Sequence, residues 1–297
     1  MNILITGGSG LIGQSLTNVL RGRNHNVRIL SRQESSKPDV FQWNPAENHI
    51  DERAFENLDS IIHLAGASIS KPWSAKYRKE LYESRISTAV LIKKYCERLN
   101  VRLTSFISAS GVNYYGTFTS DRILTEDDGV IKKDFLAKLC EDWEAAAYEF
   151  ADISDRVVCV RTAMVLAKNA GAFQLLKKSV DYYAGAATGS GQQWMNWIHL
   201  EDLVNLYVFA VENKVVSGNF NAVADDTVRA KDFTKSLAGA AKKPFLPFNV
   251  PSWTLKLALG EMSSIILEGS RVSNKKIKSL GFDFKFSTLE KAFKDLV

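Results

Sequence analysis

Four glycines fall within eight residues near the start of the chain, in Thr6-Gly7-Gly8-Ser9-Gly10-Leu11-Ile12-Gly13. The run parses as Gly-x-Gly-x-x-Gly from Gly8 or as Gly-x-x-Gly-x-x-Gly from Gly7, and the chemistry is the same either way. One glycine makes a tight turn, the next lets backbone amides approach a pyrophosphate, and Gly13 lets a helix pack closely on a strand. The helix N-terminus offers oriented N–H groups and a partial positive charge to the anion. A dinucleotide is the expected ligand, provided that a strand precedes the turn and a helix follows it. About 20 residues further on, where an NAD site sets an Asp or Glu on the ribose hydroxyls, the chain has Ser31-Arg32. A hydroxyl and a guanidinium suit a 2′-phosphate that a carboxylate would repel, which favours NADP(H). The alternative leaves Arg32 in solvent and gives the ribose to Glu34.

Other chemistries are poorly served. Cys96, Cys140 and Cys159 are too far apart for a Cys-x-x-Cys pair or a disulfide framework. His25, His49, His63 and His199 lie at no metal-ligand spacing, so no metal site is expected. Gly185 to Gly191 is rich in small residues but lacks the Gly-Lys-Ser/Thr ending of a triphosphate loop, and reads as a flexible loop on the substrate side.

The elements that must hold the glycine turn are recognisable. Asn2 to Thr6 (NILIT) reads as a strand, and Leu11 to Leu20 as a helix by its apolar spacing. Val27 to Leu30, Ser60 to Leu64, Thr104 to Ser108 and Arg156 to Val160 read as further strands, with helices over Ala75 to Leu99 and Phe135 to Phe150. Nearly continuous apolar strands alternating with helices predict a parallel sheet covered on both faces. The stretch 168–197 interrupts this with a helix, the small-residue loop and a strand near Trp194 to Ile198. After Asn221 come short helices, three prolines, a strand over Gly281 to Phe284 and a last helix. The expected fold is α/β: a Rossmann-type doubly wound parallel sheet with a small, mainly α C-terminal lobe. Its expected division is 1–225 for the dinucleotide, with 168–197 contributing to the substrate side, and 226–297 for the lobe.

At 297 residues, with 45% hydrophobic and 24% charged residues, the balance is that of a globular protein. Basic residues exceed acidic ones by 38 − 33 = 5, spread along the sequence. That excess is too mild to argue for nucleic acid or an anionic membrane. No apolar run reaches a membrane span, and a strand at the very start leaves no room for a signal peptide. A cytoplasmic protein acting on a small molecule, as monomer or homodimer, is the expectation.

Three stretches together resemble the extended short-chain dehydrogenase/reductase superfamily: the glycine run, His63-Leu64-Ala65-Gly66-Ala67, and Ser108-Ala109-Ser110-Gly111-Val112-Asn113-Tyr114-Tyr115-Gly116. More narrowly, the chain is similar to an atypical "epimerase family" group, NAD(P)-dependent epimerase/dehydratase-like, whose C-terminal domain has no known function. Trp73, Ser84-Arg85, Trp143-Glu144, Gly189 to Gln192, Trp197-Ile198-His199 and Asp202 carry that similarity. Leu259-Gly260-Glu261, Gly269 to Val272 and Gly281 to Phe284 extend it to the C-terminus. The resemblance implies NADP(H), with its pyrophosphate on Gly7, Ser9, Gly10, Leu11 and Ile12 and its adenosine end near Ser31 and Arg32. It also implies Leu64, Ala65 and Gly66 along the ribose side, Glu80, Arg85 and Ser108 around the cofactor, and Arg161 to Met164 near the nicotinamide. Read without the resemblance, Arg85 is equally a surface partner of Glu80.

The chain departs from that pattern where a proton is moved. Standard members carry Tyr-x-x-x-Lys on the helix after the Ser-rich strand, the lysine lowering the tyrosine pKa while hydride moves at the nicotinamide. Here those positions fall at Phe135 and Leu139, and no Tyr-x-x-x-Lys occurs anywhere in the sequence. Ser110 is left to hold a carbonyl, and Tyr114 or Tyr115 to donate a proton. An unassisted tyrosine, with a pKa of about 10, donates at neutral pH but is a poor base. His199 and Asp202 read as a strand-to-helix joint, with Asp202 as the cap. Two functions follow: an NADP(H)-dependent oxidoreductase or epimerase-like enzyme with a non-standard proton donor, and a catalytically weak or inactive NADP(H)-binding sensor.

Overall fold

A computed structural model describes every residue except Asn169, which falls inside the 168–197 stretch. Along the chain run β1 (Asn2–Thr6), α1 (Leu11–Gly22), β2 (Asn26–Ser31), β3 (Val40–Asn44), β4 (His49–Ile50) and β5 (Ser60–His63). Next come α2 (Ala75–Tyr82), α3 (Thr88–Arg98), β6 (Ser105–Gly111), β7 (Ser120–Leu124), α4 (Phe135–Tyr148) and β8 (Val157–Thr162). They are followed by β9 (Met164–Leu166), α5 (Gly171–Asp181), β10 (Trp194–Met195), β11 (Trp197–His199), α6 (Leu200–Glu212) and β12 (Gly218–Ala222). The rest are β13 (Val228–Arg229), α7 (Ala230–Ala240), α8 (Ser252–Leu259), α9 (Ser264–Leu267), β14 (Ser270–Val272), α10 (Lys275–Ser279) and α11 (Leu289–Leu296). These elements form two compact units, each drawn from three stretches of chain. The first takes Met1–Ser110, Leu139–Arg161 and Val204–Phe220, the second Gly111–Lys138, Thr162–Leu203 and Asn221–Val297.

The first unit is built on an eight-stranded sheet in the order β12-β8-β6-β5-β1-β2-β3-β4. β1 runs parallel to β2 on one side, Ile3 opposite Val27, and to β5 on the other, Ile3 opposite Ser60. β2–β3 and β5–β6 are also parallel, and β4 closes one edge antiparallel to β3. Ile3, Leu4, Ile5, Ile61, Ile62, Phe106 and Ile107 are completely buried. Both sheet faces are covered, which is why these strands read as unbroken apolar runs. The strand order reverses between β1 and β5, and open α/β sheets bind ligands at such a switch point, at the C-terminal strand ends. α1 buries Gly13, Leu16, Thr17 and Leu20 at helical spacing. Arg156, buried, donates to Ala210 O and Val211 O, satisfying carbonyls in the last turn of α6, and to Val216 O in the loop beyond it.

In the second unit the strand pairs β7–β14, β9–β11 and β10–β13 join stretches distant in sequence. Its core contains Phe173, Trp197, Phe233, Leu237 and Phe293. α11 adds Leu289, Ala292, Phe293 and Leu296 from one face, with Thr288 capping its N-terminus. Residues 226–297 lie wholly in this unit, together with Gly111–Lys138 and Thr162–Leu203. Two expectations change. Gly281 to Phe284 form no strand: Phe282 and Phe284 are buried against each other edge to face, ring centres 4.9 Å apart. Their alternation serves burial and not a ladder. Asp202 accepts from Lys285 N at 2.8 Å and Phe286 N at 2.9 Å instead of capping its own helix, and burial raises its pKa. Among the described residues no helix is long and apolar enough to cross a membrane.

Candidate functional site

The turn after β1 is closed by its own backbone: Gly10 N donates to Gly7 O at 3.0 Å and Gln14 N to Gly10 O at 2.9 Å. Gly7 has φ +69°, a region that favours glycine, and a Cβ there would stand 2.8 Å from Leu64 O. A Cβ on Gly13 would meet Gly7 O at 2.3 Å, so α1 rests directly on the turn. No side chain caps α1, and its first turn contains no acidic residue. Amides that a Ser or Asp cap would otherwise occupy are left for an incoming anion.

Behind the turn a buried chain of hydrogen bonds fixes the next loop. Thr6 Oγ1 accepts from Leu64 N at 3.1 Å and Ala65 N at 3.0 Å, so its own proton goes to His63 Nδ1 at 2.9 Å. His63 Nε2 therefore carries the ring proton and donates to the Arg85 carbonyl at 3.0 Å. Burial pushes the imidazole pKa down to about 4, so the ring stays neutral, as this tautomer requires. The carbonyl it holds belongs to a π-helical turn, Glu83–Ser87, between α2 and α3. The Arg85 side chain is buried: Nη1 donates to Leu81 O at 3.1 Å, Nη2 to Ala67 O at 2.9 Å, and the guanidinium faces the Trp143 ring at 4.9 Å. The surface pair with Glu80 does not form, because these carbonyls hold Arg85 inward while Glu80 is exposed on α2.

At the end of β2, Ser31 Oγ accepts from Gln33 N at 3.1 Å. Arg32 and Glu34 are both exposed, and neither forms a hydrogen bond or ion pair among the described residues. On β6, Ser108 Oγ donates to Ala109 O at 3.0 Å. Ser110 Oγ donates to Glu144 Oε1 at 2.7 Å, and Arg161 grips the same carboxylate through Nε at 2.8 Å and Nη2 at 2.9 Å. All three are buried, so the Ser110 proton is engaged and the Arg161 head faces a carboxylate. Tyr115 belongs to the second unit, 1% exposed, and its hydroxyl donates to Asn221 Oδ1 at 2.9 Å. Tyr114 stands edge-on to it at 5.6 Å. Met164 opens β9 in the second unit, opposite Trp197. The first unit thus gathers the glycine turn, Leu64 to Gly66, Arg85, Ser108, Ser110 and Arg161, whereas Tyr115 and Met164 lie in the other.

The small-residue loop is no phosphate cradle. Gly189 N donates to Val250 O, Gly191 N to Thr188 O and Gln192 N to Ser190 Oγ, so these amides are spent inside the second unit. A cavity of about 670 Å³ beside Phe55, Leu58, Leu99 and Val101 opens before the N-terminal ends of β5 and β6. That is the opposite end of the sheet from the glycine turn. Sequence reasoning missed the structural work of Thr6, His63 and Glu144. The available signal was a polar residue ending each of two apolar strands, and Thr6 and His63 do lie in register on β1 and β5.

A profile of the NAD dependent epimerase/dehydratase family matches residues 3–222, and one of a domain of unknown function (DUF1731) matches residues 250–296. The chain is 35% identical over 298 residues to an epimerase family protein of Staphylococcus aureus (strain MRSA252), covering 99% of this chain and 98% of that protein. It is 34% identical over 309 residues to the chloroplastic epimerase family protein SDR39U1 homolog of Arabidopsis thaliana, covering 100% of this chain and 87% of that one. The crystal structure of human epimerase family protein SDR39U1 (isoform 2) with NADPH is similar at a TM-score of 0.89 and 28% identity, covering 100% of this chain and 99% of that one.

Proposed function

The chain belongs to the NAD dependent epimerase/dehydratase family, and from that premise we propose that it is an NADP(H)-binding protein, an oxidoreductase or epimerase-like enzyme acting on a small molecule in the cytoplasm, as monomer or homodimer. The observation that carries the NADP(H) preference is Arg32, an exposed guanidinium without a protein partner at the end of β2. The uncapped, acid-free start of α1 fits an anionic dinucleotide, and the human relative with NADPH supports the same choice. In this reading the amides of Ser9, Leu11 and Ile12 take the pyrophosphate, while Gly7 and Gly10, joined by their own hydrogen bond, shape the turn that presents them. Ser31 and Arg32 take the 2′-phosphate, and Leu64, Ala65 and Gly66 line the ribose side. Glu80, Arg85 and Ser108 are the remaining residues of the first unit assigned to the cofactor, with Arg161 held by Glu144. When bound, NADPH would donate a hydride from its nicotinamide to a substrate, or NADP+ would accept one from it.

Titration of the purified chain with NADPH and with NADH, followed by tryptophan fluorescence and repeated on Arg32→Asp, tests this. A charge-assisted hydrogen bond is worth about 1.5–3 kcal/mol, so the substitution is expected to weaken NADPH by roughly 10- to 100-fold and NADH little. Equal affinities in the wild-type chain, or no binding, would refute the assignment.

One observation favours the sensor reading over turnover. The hydroxyl protons of Ser110 and Tyr115, two of the three candidate catalytic groups, are both engaged by buried protein acceptors. Stoichiometric NADPH binding with no oxidation by a panel of aldehydes and ketones fits a sensor, and steady NADPH consumption fits the enzyme.

A further inference from the structure

Arg85 and Trp143, which face each other, each leave a donor unmet. The guanidinium is 7% exposed, and its hydrogen bonds to Leu81 O, Ser84 Oγ and Ala67 O use Nη1 and Nη2. Its Nε donates to nothing among the described residues. Burial holds its pKa below the usual value, and no carboxylate stands near enough to offset that. The indole it faces at 4.9 Å is 8% exposed, and the Trp143 Nε1–H meets neither a protein acceptor nor solvent. A buried cation without a counter-ion and a buried N–H without an acceptor both cost stability. Such groups in a folded protein call for an explanation, often a ligand.

The chemistry of the missing partner follows from the groups that wait for it. Both are donors, one is charged, and the guanidinium stands against Gly66, where a Cβ would come within 2.9 Å of Arg85 Cζ. An oxygen that is anionic or strongly polar, arriving along the Leu64–Gly66 loop, satisfies both. Trp143 is fixed for that task by its neighbour on α4, since Glu144 ties the helix to Ser110 on β6 and Arg161 on β8.

We propose that Trp143 is a dinucleotide-binding residue, whose indole N–H acts together with the Arg85 Nε–H on one oxygen of the bound NADP(H). This rests on the NADP(H) reading above. Trp143→Phe keeps an aromatic face for Arg85 and deletes the N–H. Its dissociation constant for NADPH, measured by isothermal titration calorimetry, is expected to rise about 5- to 30-fold, and an unchanged constant overturns the proposal. Because the smaller ring also loses packing, ¹⁵N-labelled tryptophan in the wild-type chain gives a second reading. The Trp143 indole signal, identified by its absence from the variant, should move downfield and exchange more slowly when NADPH is added. A signal that NADPH leaves in place overturns the proposal, as does one already downfield and slow without NADPH, which a trapped water would produce. A wild-type chain that binds no NADPH sinks both readings, whereas normal binding with an unmoved Trp143 signal sinks only this one.

Discussion

Replacing Gly13 by alanine puts a methyl group 2.3 Å from Gly7 O and 2.7 Å from Gly8 Cα. Ordinary contact begins at 3.4 Å, so the turn and α1 must separate by roughly 3.4 − 2.3 = 1.1 Å. Both obstacles are backbone, and no rotamer change relieves them. Overpacking of this kind costs about 1–3 kcal/mol, against a helix-propensity gain of just under about 1 kcal/mol for Gly→Ala. Because both obstacles are backbone the cost falls at the upper end of that range, and the net expectation is a loss of about 2 kcal/mol, with weaker NADPH binding because the displaced amides are those assigned to the pyrophosphate. Gly22, at the other end of the same helix, supplies the control: a Cβ there meets nothing within 4 Å. Gly22→Ala should gain about 0.5–1 kcal/mol and leave NADPH affinity alone. Urea denaturation of both variants, with calorimetric NADPH titration, gives the two signs. If Gly13→Ala matches the wild type in midpoint and affinity, or if both variants shift the same way, the close approach inferred at the turn is wrong.

Glu144→Leu strands Arg161 and the Ser110 hydroxyl, and a loss of about 3–5 kcal/mol is expected. The double variant Glu144→Leu/Arg161→Met should be more stable than the sum of the single losses, and strict additivity in urea unfolding would contradict a coupled buried pair. His63, with a pKa of about 4 in the fold against 6.5 ordinarily, stays neutral where the unfolded chain takes up a proton. Its contribution is complete above pH 6.5 and is lost as pH falls toward 4, by up to about 3 kcal/mol at 1.36 kcal/mol per unit. His63→Gln, which cannot titrate, should flatten the fall of the urea midpoint across that window; parallel curves would rule the argument out. The Arg32→Asp titration completes the set, and reads cofactor choice apart from stability.

The glycine turn, β1, α1, β2 and β5 were legible because each is a local pattern: a β-branched run, a glycine cluster, an apolar face. β3 was not, since Val40–Asn44 is half or fully exposed at all but Trp43 and becomes a strand only by lying beside β2. Gly281 to Phe284 erred the other way, alternating like a strand with no partner to pair with. Arg85 could be singled out in the sequence, but its inward course depends on the carbonyls of Leu81 and Ala67, the second of them 18 residues away. Tyr115 was offered as a proton donor from its place after a Ser-rich strand. Its burial beside Leu124, Ala163, Val223 and Val272 depends on chain that comes later. Contacts of that range leave no periodicity behind, so the cofactor loop could be read and the state of its protons could not.

The strand order of the sheet also sets a schedule for the ribosome. β8 is complete when Thr162 is made, but its neighbour on the outer side, β12, waits for Gly218–Ala222. At 5–20 residues per second that interval is roughly 3 to 11 s, during which the growing chain offers a bare row of N–H and C=O groups to any other strand it meets. Chaperone supply during synthesis, more than the stability of the finished fold, should then govern how much of the protein a cell recovers, and messages cut before codon 218 should yield aggregate in place of a smaller folded protein.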